Sequence, residues 1–159
     1  MVSKPANLPK LVGTSLEYYT PTREELQGHL DNARDHLADA SLPGVSKLGA
    51  FNGTYNAAHA LALAAFKILG YRPAGEGHRQ SVFGALEHAV PATEADQELF
   101  IEAHKLRNNT EYGGVDRDAL RESFLEELRA ATTNLEEEVR LMFRAWVKAQ
   151  PTSRGPGTR

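Results

Sequence analysis

Residues Ser46-Lys47-Leu48-Gly49-Ala50-Phe51-Asn52-Gly53-Thr54-Tyr55-Asn56-Ala57-Ala58-His59-Ala60-Leu61-Ala62-Leu63-Ala64-Ala65-Phe66-Lys67-Ile68-Leu69 decide the fold. Ala57, Ala58, Leu61, Ala62, Ala64, Ala65, Ile68 and Leu69 occupy more than one face of a helix over about 46 to 69. A helix that is apolar nearly all round is central and covered on several sides. Its alanines let neighbouring helices approach closely. Gly70 can supply the left-handed residue that ends it.

Outward from this centre, four more helices are expected. Thr22-Arg23-Glu24-Glu25 is a capping-box pattern opening a first helix, about 22 to 41, with Leu26, Leu30, Ala33 and Leu37 on one stripe. Pro43-Gly44 breaks it. Beyond the turn Gly70-Tyr71-Arg72-Pro73-Ala74-Gly75-Glu76-Gly77, a short helix over about 78 to 89 carries Val82, Phe83, Leu86 and Ala89. Pro91 stops it, and Thr93 is read as the cap of a fourth helix, about 94 to 110, with Leu99, Phe100, Ala103 and Leu106 inward. Gly113-Gly114 ends that helix, and Asp116 is read as capping a fifth that runs to about 149. Leu120, Phe124, Leu128, Ala131, Leu135, Met142 and Trp146 form its stripe. Its length exceeds what a small bundle needs, so its end is expected to meet another subunit.

No strand-like alternation and no repeat stand out. The expected architecture is all-α: an N-terminal extended arm over 1–21, a single bundle of about five helices over 22–149, and a disordered tail over 150–159. The 159 residues suit one domain with a proper core. No apolar run reaches the roughly 18 residues that would span a bilayer, and the first residues lack a signal-peptide apolar core. Cysteine is absent, which excludes disulfides and thiolate metal sites. These features lead to the expectation of a cytoplasmic protein. A formal charge of −3 argues against broad electrostatic wrapping of nucleic acid but leaves room for a local basic cleft.

The chemistry-bearing stretch is Arg107-Asn108-Asn109-Thr110-Glu111-Tyr112 at the end of the fourth helix. Arg107, Asn108 and Glu111 lie near one helical face. Tyr112 lies roughly 140° round the helix from Arg107, so a site using both needs a second wall. Arg107 can grip a phosphate with two parallel hydrogen bonds. Asn108 can orient it or bond a phosphate or ribose oxygen, and Tyr112 can stack on a base or donate its phenol proton. The same residues also suit a plain helix end, where a basic group favours the dipole and Asn precedes a turn.

Asn52, Tyr55, Asn56 and His59 interrupt the apolar second helix. Tyr55 and His59 share one face; Asn52, Asn56 and His59 form a second polar strip. They either complete a pocket against Arg107 or form a structural polar patch within the bundle. His104, three residues before Arg107, shares its face and is either a base beside it or an exposed helix histidine. His29, His36, His59 and His104 raise the question of a zinc or nickel ion, but no HExxH or ExxH pattern anchors one. Gly75-Glu76-Gly77-His78-Arg79 offers backbone N–H groups to an anion, without the phosphate-loop lysine pattern.

Together, Tyr55-Asn56-Ala57-Ala58-His59-Ala60, then Gly70-Tyr71-Arg72-Pro73, Gly77-His78, and Leu106-Arg107-Asn108 with Tyr112, resemble the HEPN superfamily (higher eukaryote and prokaryote nucleotide-binding domains). The resemblance covers roughly residues 22 to 148. It implies a helical bundle that dimerises around a shared cleft. Many such proteins are metal-independent endoribonucleases of toxin–antitoxin or phage-defence systems. Their motif is Arg, a polar residue, three variable residues, then His. Arg107 and Asn108 match it, but Tyr112 stands at the His position. A phenol with a pKa near 10 can act as a general acid and is a poor base. The Tyr variant resembles the sacsin-like subgroup, for which nucleotide binding is the usual role.

The resemblance therefore implies a homodimer that binds RNA or a nucleotide phosphate, with Arg107, Asn108 and Tyr112 as the reactive set. His104, Glu111, Asn52, Tyr55, Asn56 and His59 would line the binding cleft. It implies no metal and no cofactor. The rival reading is a non-catalytic interaction module, partnered with a nucleotidyltransferase that could modify Tyr112.

Overall fold

The computed structural model describes residues 7–75, 79–112, 118 and 120–151, of which 79–81 and 110–112 are described by backbone alone. The described residues form five α-helices: α1 (Arg23–Ala40), α2 (Lys47–Ile68), α3 (Arg79–Ala89), α4 (Gln97–Tyr112) and α5 (Glu122–Ala149). The protein is mostly helical, and a two-stranded ribbon is added to the helices.

α2 is the hub. It packs against α1, α3, α4 and α5. Phe51, Tyr55, Ala57, Ala58, Leu61, Ala62, Ala64, Ala65 and Phe66 are all buried, as an all-round apolar helix requires. Ser46 starts it, its hydroxyl accepting from the Gly49 N–H at 2.9 Å. Gly70, at φ +96, turns the chain out of it. α1 comes closest at Gly53, where an added Cβ would stand 2.9 Å from both the Ala40 Cβ and the His36 carbonyl oxygen.

Thr22 caps α1 by accepting from the Glu25 N–H at 3.1 Å. The reciprocal half of the capping box does not form. The Glu25 carboxylate instead accepts from the Tyr19 hydroxyl at 2.5 Å. Leu26, Leu30 and Ala33 are buried as the stripe predicts, and Leu37 is partly covered.

Three expectations are corrected. The segment before α1 is not a simple extended arm. It forms a 3-10 helix over Leu8–Leu11 and then strand β1 (Leu16–Tyr18), which pairs antiparallel with β2 (Tyr71–Pro73). Leu8 and Leu16 are fully buried, so this segment belongs to the core. Three-residue strands are too short for alternation to register in the sequence.

Thr93 does not cap α4. It lies in a 3-10 helix, Pro91–Asp96, and its hydroxyl donates back to the Val90 carbonyl at 2.6 Å. Finally, α5 begins at Glu122, after Arg121. Asp116, Gly113-Gly114, Glu76-Gly77-His78 and the tail over 152–159 lie outside the described residues.

α5 has 28 residues, about 42 Å at 1.5 Å per residue. It lays Leu128, Ala131, Leu135, Val139, Met142 and Phe143 on the bundle. Among the described residues, no helix is long and apolar enough to cross a membrane.

Candidate nucleotide-binding site

The contact between α2 and α4 brings the polar interruptions of α2 onto the end of α4. Asn52 reaches Arg107, whose Nη1 donates to the Asn52 Oδ1 at 3.1 Å. The Arg107 guanidinium carbon lies 5.6 Å from the centre of the Tyr55 ring. A guanidinium near an aromatic face is held by the ring quadrupole as well as by its hydrogen bonds. Arg107 is half-buried, so this cation is seated against the bundle rather than extended into solvent.

Beneath it runs a chain of hydrogen bonds. The Tyr55 hydroxyl lies 3.2 Å from the His104 Nδ1. The other ring nitrogen of His104, Nε2, lies 3.2 Å from the Asn108 Nδ2. Tyr55 is 1% exposed and His104 7%, while Asn108 is exposed. The chain therefore links a buried phenol to a surface amide through one imidazole. Burial makes these bonds costly to lose, because an unpaired polar group there would forfeit its hydration.

His104 is not the exposed helix histidine of the alternative reading. It follows Phe100 by four residues and shares that residue's inward face. Phe83 of α3, read from the sequence only as core, packs against both Tyr55 and His104, with ring centres 5.6 and 6.3 Å apart. His59 is half-buried and stacks on Tyr55 at 6.5 Å. Asn56 is half-buried on α2 and takes no part in the contacts just described. The side chains of Glu111 and Tyr112 lie outside the described residues, although the α4 backbone continues through Tyr112.

Among the described residues, two surface cavities lie away from Arg107. One, about 290 Å³, lies between the end of α1 and the starts of α2 and α5, beside Ser46, Lys47, Glu126 and Arg129. The other, about 210 Å³, lies between the Pro91–Asp96 turn and α5. Among the described residues, no three His, Asp or Glu side chains group so as to hold a metal ion.

A second polar cluster was not anticipated. Lys67, near the end of α2, lies 3.0 Å from the His29 Nε2 and 3.7 Å from the Glu25 Oε1. Its ammonium and the Arg72 guanidinium both sit over the Tyr19 ring, at 5.3 and 4.8 Å. Arg72 also pairs with Glu17 across the ribbon. Burial, reinforced by the Lys67 charge, pushes the His29 pKa below its ordinary 6.5. The hydrogen bond to Glu25 raises the Tyr19 phenol. The signal was a lysine in the apolar half of α2, which needs a partner, but its partners come from segments distant in sequence.

Comparison with protein-family models, curated proteins and solved structures gave no match.

Proposed function

We propose that this chain is a HEPN-like helical protein that binds RNA or a nucleotide phosphate at the end of α4 through Arg107. The observation that carries this reading is the seating of Arg107. Its guanidinium is oriented by Asn52 and the Tyr55 ring, beside the exposed amide of Asn108. A guanidinium has five N–H donors, so it can be held by an asparagine and still grip a phosphate. Fixing it in advance lowers the ordering cost of binding.

The reaction that fits this site is metal-independent cleavage of RNA. The ribose 2′-hydroxyl would give its proton to solvent water and attack phosphorus, the bond from phosphorus to the 5′-oxygen would break, and a 2′,3′-cyclic phosphate would remain. Arg107 would stabilise the charge that develops on the phosphorane oxygens. Asn108 would orient the phosphate, and Tyr112 would protonate the leaving oxygen as general acid. A homodimer would bring a second wall to the site; the 28-residue α5 and the angular separation of Arg107 from Tyr112 support that arrangement.

Purified protein and Arg107→Ala are compared for binding to single-stranded RNA and for cleavage of total RNA, with sedimentation giving the oligomeric state. Binding by the wild type and its loss in the variant support the reading. Equal, negligible binding and cleavage by both remove it and leave a non-catalytic interaction module.

A further inference from the structure

Resting on that reading of the site, we propose that His104 is a positioning residue that makes phosphate binding proton-linked. Uptake of one proton by His104 would turn the Asn108 amide, so that its NH2 group faces outward beside Arg107. The structure places Asn108 Nδ2, a donor, against His104 Nε2 at 3.2 Å. With Nδ2 on that side, a neutral ring accepts at Nε2, carries its proton on Nδ1 and donates it to the Tyr55 oxygen at 3.2 Å. In this state the Asn108 carbonyl oxygen is the part of the amide turned away from His104. A carbonyl oxygen repels a phosphate oxygen.

When His104 takes a proton from solvent, both ring nitrogens become donors. The Nδ1–H to Tyr55 is retained. The new Nε2–H cannot face an NH2 group, so the amide rotates by about 180° and presents its oxygen to the ring. Its two N–H donors then point outward, next to the Arg107 guanidinium. One proton is gained, no covalent bond changes, and an acceptor facing the ligand is replaced by a donor.

The geometry favours this coupling because the imidazole is 7% exposed and clamped at both nitrogens. Among the described residues, α2 brings Tyr55 to His104, with His59 stacked on the far partner of that bond. From the described side chains of α3, the apolar Phe83 packs on the ring. On α4 the neighbouring charges are Lys105 and Arg107, and Arg107 is drawn toward Asn52. Glu111 follows seven residues on, its side chain outside the described residues. Binding of an anion and binding of a proton at His104 must help each other equally, because coupling between two sites is reciprocal.

The test uses the full chain and an oligouridylate without terminal phosphates, a ligand whose charge is constant between pH 5 and 8. Calorimetry in two buffers of different ionisation enthalpy reads the protons taken up on binding. The expected result is net proton uptake on binding and an affinity that rises by up to about tenfold per pH unit as pH falls. His104→Gln, checked for an unchanged circular dichroism spectrum, should bind without proton uptake. If it fails to fold, Asn108→Ala supplies the same readout from the other end of the bond, and its proton uptake should be lost.

RNA binding that is lost in Arg107→Ala but has no proton uptake in the wild type would overturn the linkage while sparing the site. Uptake that survives His104→Gln and disappears in His59→Gln would overturn it too. Absence of RNA binding at every pH would overturn the underlying reading as well.

Discussion

Asn52 on α2 and Arg107 on α4, 55 positions apart in the chain, are joined by one hydrogen bond of 3.1 Å. Asn52 thus helps the Tyr55 ring to aim the cation. Replacing it by alanine should leave Arg107 charged but less constrained. Because the pair is only partly buried, the expected cost is modest: RNA affinity weaker by about fivefold, equivalent to about 1 kcal/mol. Arg107→Ala should cost clearly more. Binding isotherms of the two variants decide the order; an Asn52→Ala loss as large as that of Arg107→Ala would make Asn52 itself a ligand contact.

Gly53 sets how closely α1 and α2 can pack. On an open helix, Gly53→Ala would gain up to about 1 kcal/mol of helix propensity. Here the new methyl would stand 2.9 Å from a Cβ and from a backbone oxygen, neither of which can swing away. Overpacking of that kind costs about 1–3 kcal/mol, so the clash wins and the variant should be less stable. Ala40→Gly in the same chain removes one of the two obstacles and should restore only part of the loss. Chemical denaturation of the single and double variants reads both effects.

The contrast between these two positions shows what the sequence can carry. The central role of α2 is written in its composition, since no amphipathic surface helix buries residues on every face. The inward faces of α1, α3 and α5 follow from spacing in the same way. The N-terminal ribbon left no trace, because two three-residue strands hold too few positions for a period. Thr93 has the chemistry of a cap, yet a preceding Pro91 leads the chain into a 3-10 turn. At the site, the faces of Asn52, Tyr55 and Arg107 were legible from helical spacing. The burial of His104 was legible only in its relation to Phe100, and the Tyr55–His104 pairing depends on how α2 crosses α4. Glu25 makes the same point: local rules assign it to the capping box, while Tyr19 and Lys67 claim it in three dimensions.

The N-terminal segment should therefore matter to global stability. Leu16 is fully buried in the core cluster although it belongs to a short edge ribbon. Leu16→Ala keeps the backbone pairing with Pro73 and removes only the side chain. Truncating a buried leucine costs about 2–5 kcal/mol, so the melting temperature should fall by several degrees. A calorimetric melt within a degree of the wild type would show that the segment merely lies on the bundle.

The Lys67–His29 contact makes stability depend on pH in a defined window. Burial and the adjacent ammonium depress the His29 pKa in the folded chain, whereas the unfolded chain has the ordinary value of 6.5. Above 6.5 the imidazole is neutral in both states and accepts from Lys67 without penalty. As pH falls through 6.5, the unfolded chain takes up the proton first. The unfolded state then binds more protons than the folded one, so stability declines with falling pH until the folded pKa is passed. His29→Gln keeps an acceptor near Lys67 but cannot titrate. Its denaturation midpoint, followed between pH 7 and 5, should fall less steeply than that of the wild type. Parallel curves for the two proteins would show that His29 carries no part of the acid sensitivity and would shift attention to the other histidines.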